Sequence, residues 1–347
     1  MLILFTATII FFLIEILYFK IANHFNIIDK PNLRSSHSQI TLRGGGIIFP
    51  VAIIIGIIFW QPSLWAIGLA VFLISTISFL DDLLTLNNKL RIAVHILSVF
   101  LLLYQAQLVA SETLNHIPYS SNLSPYSFLL FPYSIFLFPL SLIIIIGIIN
   151  AYNFMDGING ITVIYSLSAV LSIWYVQEFI DTYLLNDHIW FLILAALLVF
   201  GFFNVRKKAK AFAGDIGSIS MSLILCFLIF TLILTTNDLK WMLLLGIYGL
   251  DAVGTIFCRI IRKENIFEAH RSHFYQFLAN EKKWSHVLIA IIFSVFQLFL
   301  NFVLIFTNQL LPVICTYLTI ITIYIMARLK LEGKKRLFEN YNNIINS

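Results

Sequence analysis

Runs of apolar residues broken by short polar stretches dominate the chain, and eleven of them are long enough, or nearly so, to cross a bilayer. A helix rising ~1.5 Å per residue needs about 20 residues to span the hydrocarbon core. The runs lie at 2-20, 46-63, 65-80, 91-110, 128-149, 160-177, 188-203, 217-235, 240-258, 286-306 and 310-328, several of them short or carrying Pro132, Pro139 or Pro312. The pattern predicts an all-α integral membrane protein, a polytopic helical bundle with 10 or 11 transmembrane helices. No low-complexity tract or Pro-rich linker divides residues 1-347, so a single membrane domain is expected.

If each run crosses once, the polar stretches 21-45, 81-90, 150-159, 204-216, 259-285 and 329-347 share one side. With its flanking residues that side carries 21 of the 22 Lys and Arg, leaving Lys240 for the other. The asymmetry puts these stretches in the cytoplasm, the N-terminus outside and the C-terminus inside. Trp60, Trp65, Trp174, Trp190 and Trp241 fall at the opposite ends, where an aromatic belt is expected. Composition points the same way: with 60% hydrophobic and 11% charged residues there is too little polar side chain to cover a soluble surface. Cys226, Cys258 and Cys315 read as reduced packing residues, and the N-terminal run, without a basic flank or small-residue cleavage site, as a retained span.

The polar motifs all fall on the basic side. Asp29 opens a segment D-K-P-N-L-R-S-S-H containing Arg34 and His37, followed by Arg43-Gly-Gly-Gly at the entry to the second run. Adjacent glycines let backbone N–H groups approach an anion, and Arg34, His37, Arg43 and, further on, Lys89 are candidate phosphate-binding residues. A tight turn with orienting positive charge is the plainer alternative. Asp81 and Asp82 form an adjacent pair at a membrane interface, costly unless they meet a cation, pair with a base or work as one. In N-A-Y-N-F-M-D-G-I-N-G, a continuing helix would line Asn150, Asn153 and Asp156 along one face before the glycines break it. Asn204, a basic cluster at 206-210 and F-A-G-D-I-G-S follow, with Asp215 placed as an Mg²⁺ ligand and Phe212 as a platform for a base. His270-Arg271-Ser-His273 suits a phosphate better than zinc, since neither a Cys nor a third His stands nearby. The remaining histidines, His286 among them, read as incidental.

Five motifs in this order on one membrane face resemble the polyprenyl-phosphate N-acetylhexosamine-1-phosphate transferases, the glycosyltransferase 4 family, from about Asp29 to Gln276. The resemblance implies a Mg²⁺-dependent enzyme, with Mn²⁺ an alternative. Its reaction moves sugar-1-phosphate from a UDP-N-acetylhexosamine donor to a polyprenyl phosphate acceptor such as undecaprenyl phosphate, releasing UMP. It also implies a bacterial inner-membrane location, contact with membrane lipids and no nucleic-acid partner, and it leaves a homodimer open. Residue by residue, it implies catalytic roles for Asp81, Asp82 and Asp156 and metal binding by Asp215. It implies nucleotide-sugar binding by Asn153, Asn159, Asn204, Phe212, His270, Arg271 and His273. Direct attack and a covalent aspartyl intermediate both remain open.

Two departures narrow the resemblance. The family's D-G-x-D-G reads D-G-I-N-G here, so Asn159 replaces a carboxylate. The last loop reads H-R-S-H rather than a histidine-rich run, which points away from a peptide-bearing donor and toward the O-antigen-initiating branch, with N-acetylglucosamine and 6-deoxy relatives as donors. The rival classes are a polytopic transporter or lipid flippase, for which Glu15 and Asp251 are the main ionisable residues within spans, and other lipid-phosphate enzymes. The D-D-x-x-D of an aspartate-rich prenyltransferase fails at Thr85, and the D-G-x-x-A-R of a CDP-alcohol phosphotransferase is not supplied after Asp156.

Overall fold

The computed structural model describes residues 1–29, 40–84, 86–115, 134–266, 268 and 270–339. Helices carry nearly all of it, because only intrasegment hydrogen bonds satisfy the backbone in lipid. In order they are α1 (Leu2–His24), α2 (Ile48–Trp60), α3 (Trp65–Leu84), α4 (Asn88–Asn115), α5 (Ser134–Phe154), α6 (Ile161–Phe179) and α7 (Asp187–Asn204). Then come α8 (Gly214–Thr236), α9 (Gly246–Ile261), α10 (Phe274–Asn280), α11 (His286–Phe306), α12 (Leu310–Leu331) and α13 (Lys334–Phe338). Among the described residues nine helices are long and apolar enough to cross a membrane, and two shorter apolar ones, Gly45–Trp60 and Phe138–Phe154, occupy the positions of the second and fifth runs. The all-α polytopic expectation is borne out. Arg34 and His37 lie outside the described residues.

The sequence of α8 is apolar on every face, which suits a helix surrounded by others. It is the centre of the bundle, with every residue from Ile216 to Ile233 buried, and α2, α3, α4 and α5 pack around it. Its small polar residues add no unmet demand: Ser220 donates to Ile216 O at 2.5 Å and Ser222 to Ile219 O at 2.8 Å. Such positions let neighbouring backbones come close. On the other flank α6 is pinned to α11 by Tyr165 Oη donating to Gln297 Oε1 at 2.5 Å and by Asn301 Nδ2 donating to Ser172 Oγ at 2.8 Å. By contrast, α12 turns most of its surface outward.

Two features depart from the expectations. Trp190 and Trp241 are core residues rather than members of an interfacial belt. Their indole N–H groups are satisfied internally, by Gln177 Oε1 at 3.1 Å and Thr236 Oγ1 at 2.9 Å. In addition, a short antiparallel pair of strands, β1 (Ile28–Asp29) and β2 (Thr41–Leu42), forms before α2, and Leu42 also bridges in parallel to Ala211. That strap fixes the backbone that carries Arg43.

Candidate active site

The polar stretches between alternate helices meet in one cavity of about 240 Å³. Arg43, Asn153, Asp156, Asn159, Asn204, Phe212 and Asp215 line it, joined by Asp29, Gln276 and His286.

The glycines of two motifs hold this assembly together. The Gly45 N–H donates to Phe212 O at 2.9 Å and the Gly46 N–H to Ala213 O at 3.0 Å. These two donors are therefore spent on the F-A-G-D segment, and the anion-cradle reading does not hold for them. A Cβ on Gly46 would stand 2.4 Å from Gly217 Cα, so the start of α2 and the start of α8 touch backbone to backbone. Gly214 has φ +70°, and a Cβ there would come 2.8 Å from Asp82 Oδ2. Arg43, Asp82 and Asp215 are neighbours because three glycines leave no side chain between them.

Asp81 and Asp82 diverge, since successive helical residues point about 100° apart. Asp81 turns away from the cavity: Arg91 Nη1 donates to its Oδ2 at 2.7 Å and the Leu86 N–H to its Oδ1 at 2.8 Å. Asp82 turns inward, its side chain only 1% exposed. Its Oδ2 accepts the Asp215 N–H at 3.0 Å at the N-terminus of α8, where a negative charge is favoured. Arg43 Nη2 lies 2.7 Å from Asp82 Oδ1 and 3.7 Å from Asp215 Oδ1, between the two carboxylates.

Helix α5 ends at Phe154, so the expected polar face is not continuous. Asn150 donates back to Ile146 O at 2.8 Å, whereas Asn153 Oδ1 accepts from Ser218 Oγ at 2.6 Å across to α8. Asp156 lies beyond the helix end and accepts from Thr162 Oγ1. Burial pushes its carboxyl up to about 7; the Thr162 bond and Arg43 oppose the rise, and Asp215 and Asp82 add to it. A carboxyl titrating near neutrality is suited to taking or giving a proton.

Asn204 and the last loop act from behind. Asn204 accepts the Gly160 N–H at 2.7 Å and donates to Ala211 O at 2.9 Å, both ends of its amide committed to backbone. Tyr275 Oη donates to Phe154 O at 2.7 Å, and Gln276 reaches the cavity from the same short helix, α10. His270 and His273 stack with ring centroids 5.1 Å apart and do not line the cavity. Burial, then His273, pushes His270 down to about 3, so it is a neutral imidazole at physiological pH. His273 Nδ1 is 2.9 Å from Asp251 Oδ2, and Asp251 also accepts from Tyr324 Oη at 2.9 Å. Arg271 and Lys89 are exposed and not among the cavity-lining residues.

For a divalent cation the donor set is a pair of carboxylates. Asp82 Oδ1 is buried without a hydrogen bond, and the Asp215 carboxylate faces it across Arg43. Among the described residues no three His, Cys, Asp or Glu side chains converge. Two carboxylates without a closed cage fit Mg²⁺, which keeps waters and shares substrate phosphates.

A sequence model described as Glycosyl transferase family 4 matches residues 64–233, the stretch that contains Asp82, Asp156 and Asp215. Residues 64–233 belong to glycosyl transferase family 4. It is the family the five motifs resemble. Among similar proteins is one from Bacillus subtilis (strain 168) described as a probable undecaprenyl-phosphate N-acetylglucosaminyl 1-phosphate transferase, 25% identical over 263 residues, 73% of this chain and 70% of the relative. Phospho-N-acetylmuramoyl-pentapeptide-transferases are also similar. That of Streptococcus pneumoniae (strain Taiwan19F-14) is 29% identical over 197 residues, 51% of this chain and 55% of the relative. That of Thermotoga neapolitana is 25% identical over 210 residues, 60% of this chain and 66% of the relative.

Among the residues that line the cavity, sequence reading missed His286. Its Nδ1 accepts the Asn159 N–H at 3.2 Å across 127 positions of sequence. The helix N-cap at Ser285, whose hydroxyl accepts the Leu288 N–H, marks where α11 begins but not what His286 faces. Asn159 itself has a structural reason to be an amide: its Nδ2 donates to Arg206 O at 2.9 Å and Lys207 O at 3.4 Å. A carboxylate there would set oxygen against two carbonyl oxygens. Asn159→Asp is therefore expected to destabilise the protein by about 1–3 kcal/mol, read as a lower melting temperature in detergent; an unchanged or higher value would mean the loop re-pairs.

Proposed function

We propose that this protein transfers an N-acetylated sugar-1-phosphate from a UDP-sugar to undecaprenyl or another polyprenyl phosphate, forming a pyrophosphate-linked lipid sugar and UMP. The supporting observation is the convergence of four separated motifs on one polar cavity that Asp156 lines, with Asp82 of the fifth motif joined to it through Arg43, which lies between Asp82 and Asp215. In this reading Asp82 and Asp215 hold Mg²⁺, which when bound neutralises charge developing on the pyrophosphate. Asp156 accepts the acceptor's proton, Asn204 holds the wall of the cavity, and Phe212 stacks on the uracil. Gln276 meets the sugar side, and the loop of His270, Arg271 and His273 supports it from behind. The cavity faces the cytoplasm of a bacterial cell, with the N-terminus outside, as the distribution of Lys and Arg supports. The H-R-S-H loop favours a donor without a peptide, in the initiation of a surface glycan such as O-antigen.

The test is a donor panel. Purified protein with Mg²⁺ and a UDP-N-acetylsugar is expected to release UMP only when polyprenyl phosphate is added, and N-acetylglucosamine or a 6-deoxy relative should be the best donor. No UMP from any donor, with the protein folded by its melting curve, would sink the enzyme reading.

A further inference from the structure

We propose that Arg43 is a built-in counter-cation for the Asp82–Asp215 pair, one that yields the carboxylates to a divalent ion only when phosphate oxygens are present to receive its guanidinium. The inference rests on the reading of this cavity as a phosphoryl-transfer site and assigns Arg43 a task beyond phosphate contact.

The backbone of Arg43 is fixed on both sides, its N–H donating to Ile27 O at 3.1 Å and its carbonyl accepting from Tyr18 Oη at 2.6 Å. Its side chain is 35% exposed and ends between the carboxylates, while the Asp82 side chain is 1% exposed. A held base with a long partly solvated arm allows the guanidinium to move while the strap stays in place. The arm also occupies the position a divalent ion needs. Asp82 Oδ1 makes no hydrogen bond, so Arg43 is its only neutralising contact there among the described residues. Leaving that oxygen bare and buried is costly, and Arg43 departs only in exchange for another cation. A divalent ion arriving alone must displace the guanidinium with nothing to receive it. One arriving with a pyrophosphate offers Arg43 a bidentate acceptor in the same cavity, the geometry guanidinium matches best. Metal and phosphate therefore bind together, and the site resists metal alone.

The experiment measures Mn²⁺ binding to the full-length purified protein by electron paramagnetic resonance, with and without inorganic pyrophosphate and with no sugar nucleotide or lipid. Without pyrophosphate, Arg43→Gln should bind Mn²⁺ on the order of tenfold more tightly than wild type, a charge effect reduced by partial exposure. With pyrophosphate, wild type should gain affinity and Arg43→Gln should gain clearly less. Arg43→Lys, which keeps the charge without the planar fork, should fall between them and serves if the Gln variant does not fold. Equal or weaker Mn²⁺ binding by Arg43→Gln without pyrophosphate, or by Arg43→Lys if only that variant folds, would overturn the proposal. Failure of the donor panel with these results intact would instead remove the enzyme reading and leave the counter-cation in place.

Discussion

Asp156→Asn is expected to slow UMP release by roughly 10²–10⁴-fold, the usual contribution of a positioned general base or acid, and to abolish a pH dependence at the same time. Asp156 lies on the turn after α5, on the cavity wall, and accepts from Thr162 Oγ1. Burial, supplemented by Asp215 and Asp82, pushes its carboxyl from the ordinary 3.8 up to about 7. With the carboxylate as the working form, wild-type kcat/KM should climb about tenfold per pH unit below that value and level off above it. Stability moves the other way. A raised pKa means the folded protein holds this proton more tightly than the unfolded chain, so the contribution is fully present below the ordinary carboxylate value and is lost as pH rises through about 7. Asn should flatten both curves without emptying the turn, since its shape is nearly the same. A profile for Asp156→Asn with the same acid limb as wild type would assign the titration to another group.

How far the sequence discloses this site depends on the distance over which each contact acts. Hydrophobic run length is local, and it locates the apolar helices because lipid imposes the same requirement on each. Which end of a helix carries chemistry is also local, through the placement of Lys, Arg and Asp. The facing of a side chain within that end is not. Asp81 and Asp82 look interchangeable in sequence, yet one pairs with Arg91 and the other is buried beside Arg43. Asn204 looks like a ligand because it is polar beside a basic cluster, whereas both ends of its amide are taken by backbone. His286 looks incidental because it belongs to none of the motifs, and its partner Asn159 stands 127 residues away. The motifs were legible as a set, while the division of labour within them depends on contacts between helices that no spacing encodes.

That division is most exposed at the glycines, and Gly46→Ala is expected to cost about 1–3 kcal/mol or more, the range for forcing a methyl into a packed interior. The added carbon would stand 2.4 Å from Gly217 Cα and 2.8 Å from Ala213 O, all backbone, so no side chain can rotate away. Either α2 or the start of α8 must shift. Such a shift pulls the Gly45 and Gly46 N–H groups off the Phe212 and Ala213 carbonyls and separates Arg43 from Asp82. Activity should therefore fall along with the melting temperature. Gly217→Ala tests the same contact from the other side, since its Cβ would be 2.6 Å from Gly46 Cα. Gly147 in α5 provides the contrast: nothing lies within 4 Å of a Cβ there, so Gly147→Ala should be neutral or stabilising by about 0.5–1 kcal/mol through helix propensity. If Gly46→Ala and Gly147→Ala melt alike, the R-G-G-G and F-A-G-D-I-G-S motifs do not meet through their backbones, and the anion-cradle reading of the glycines returns.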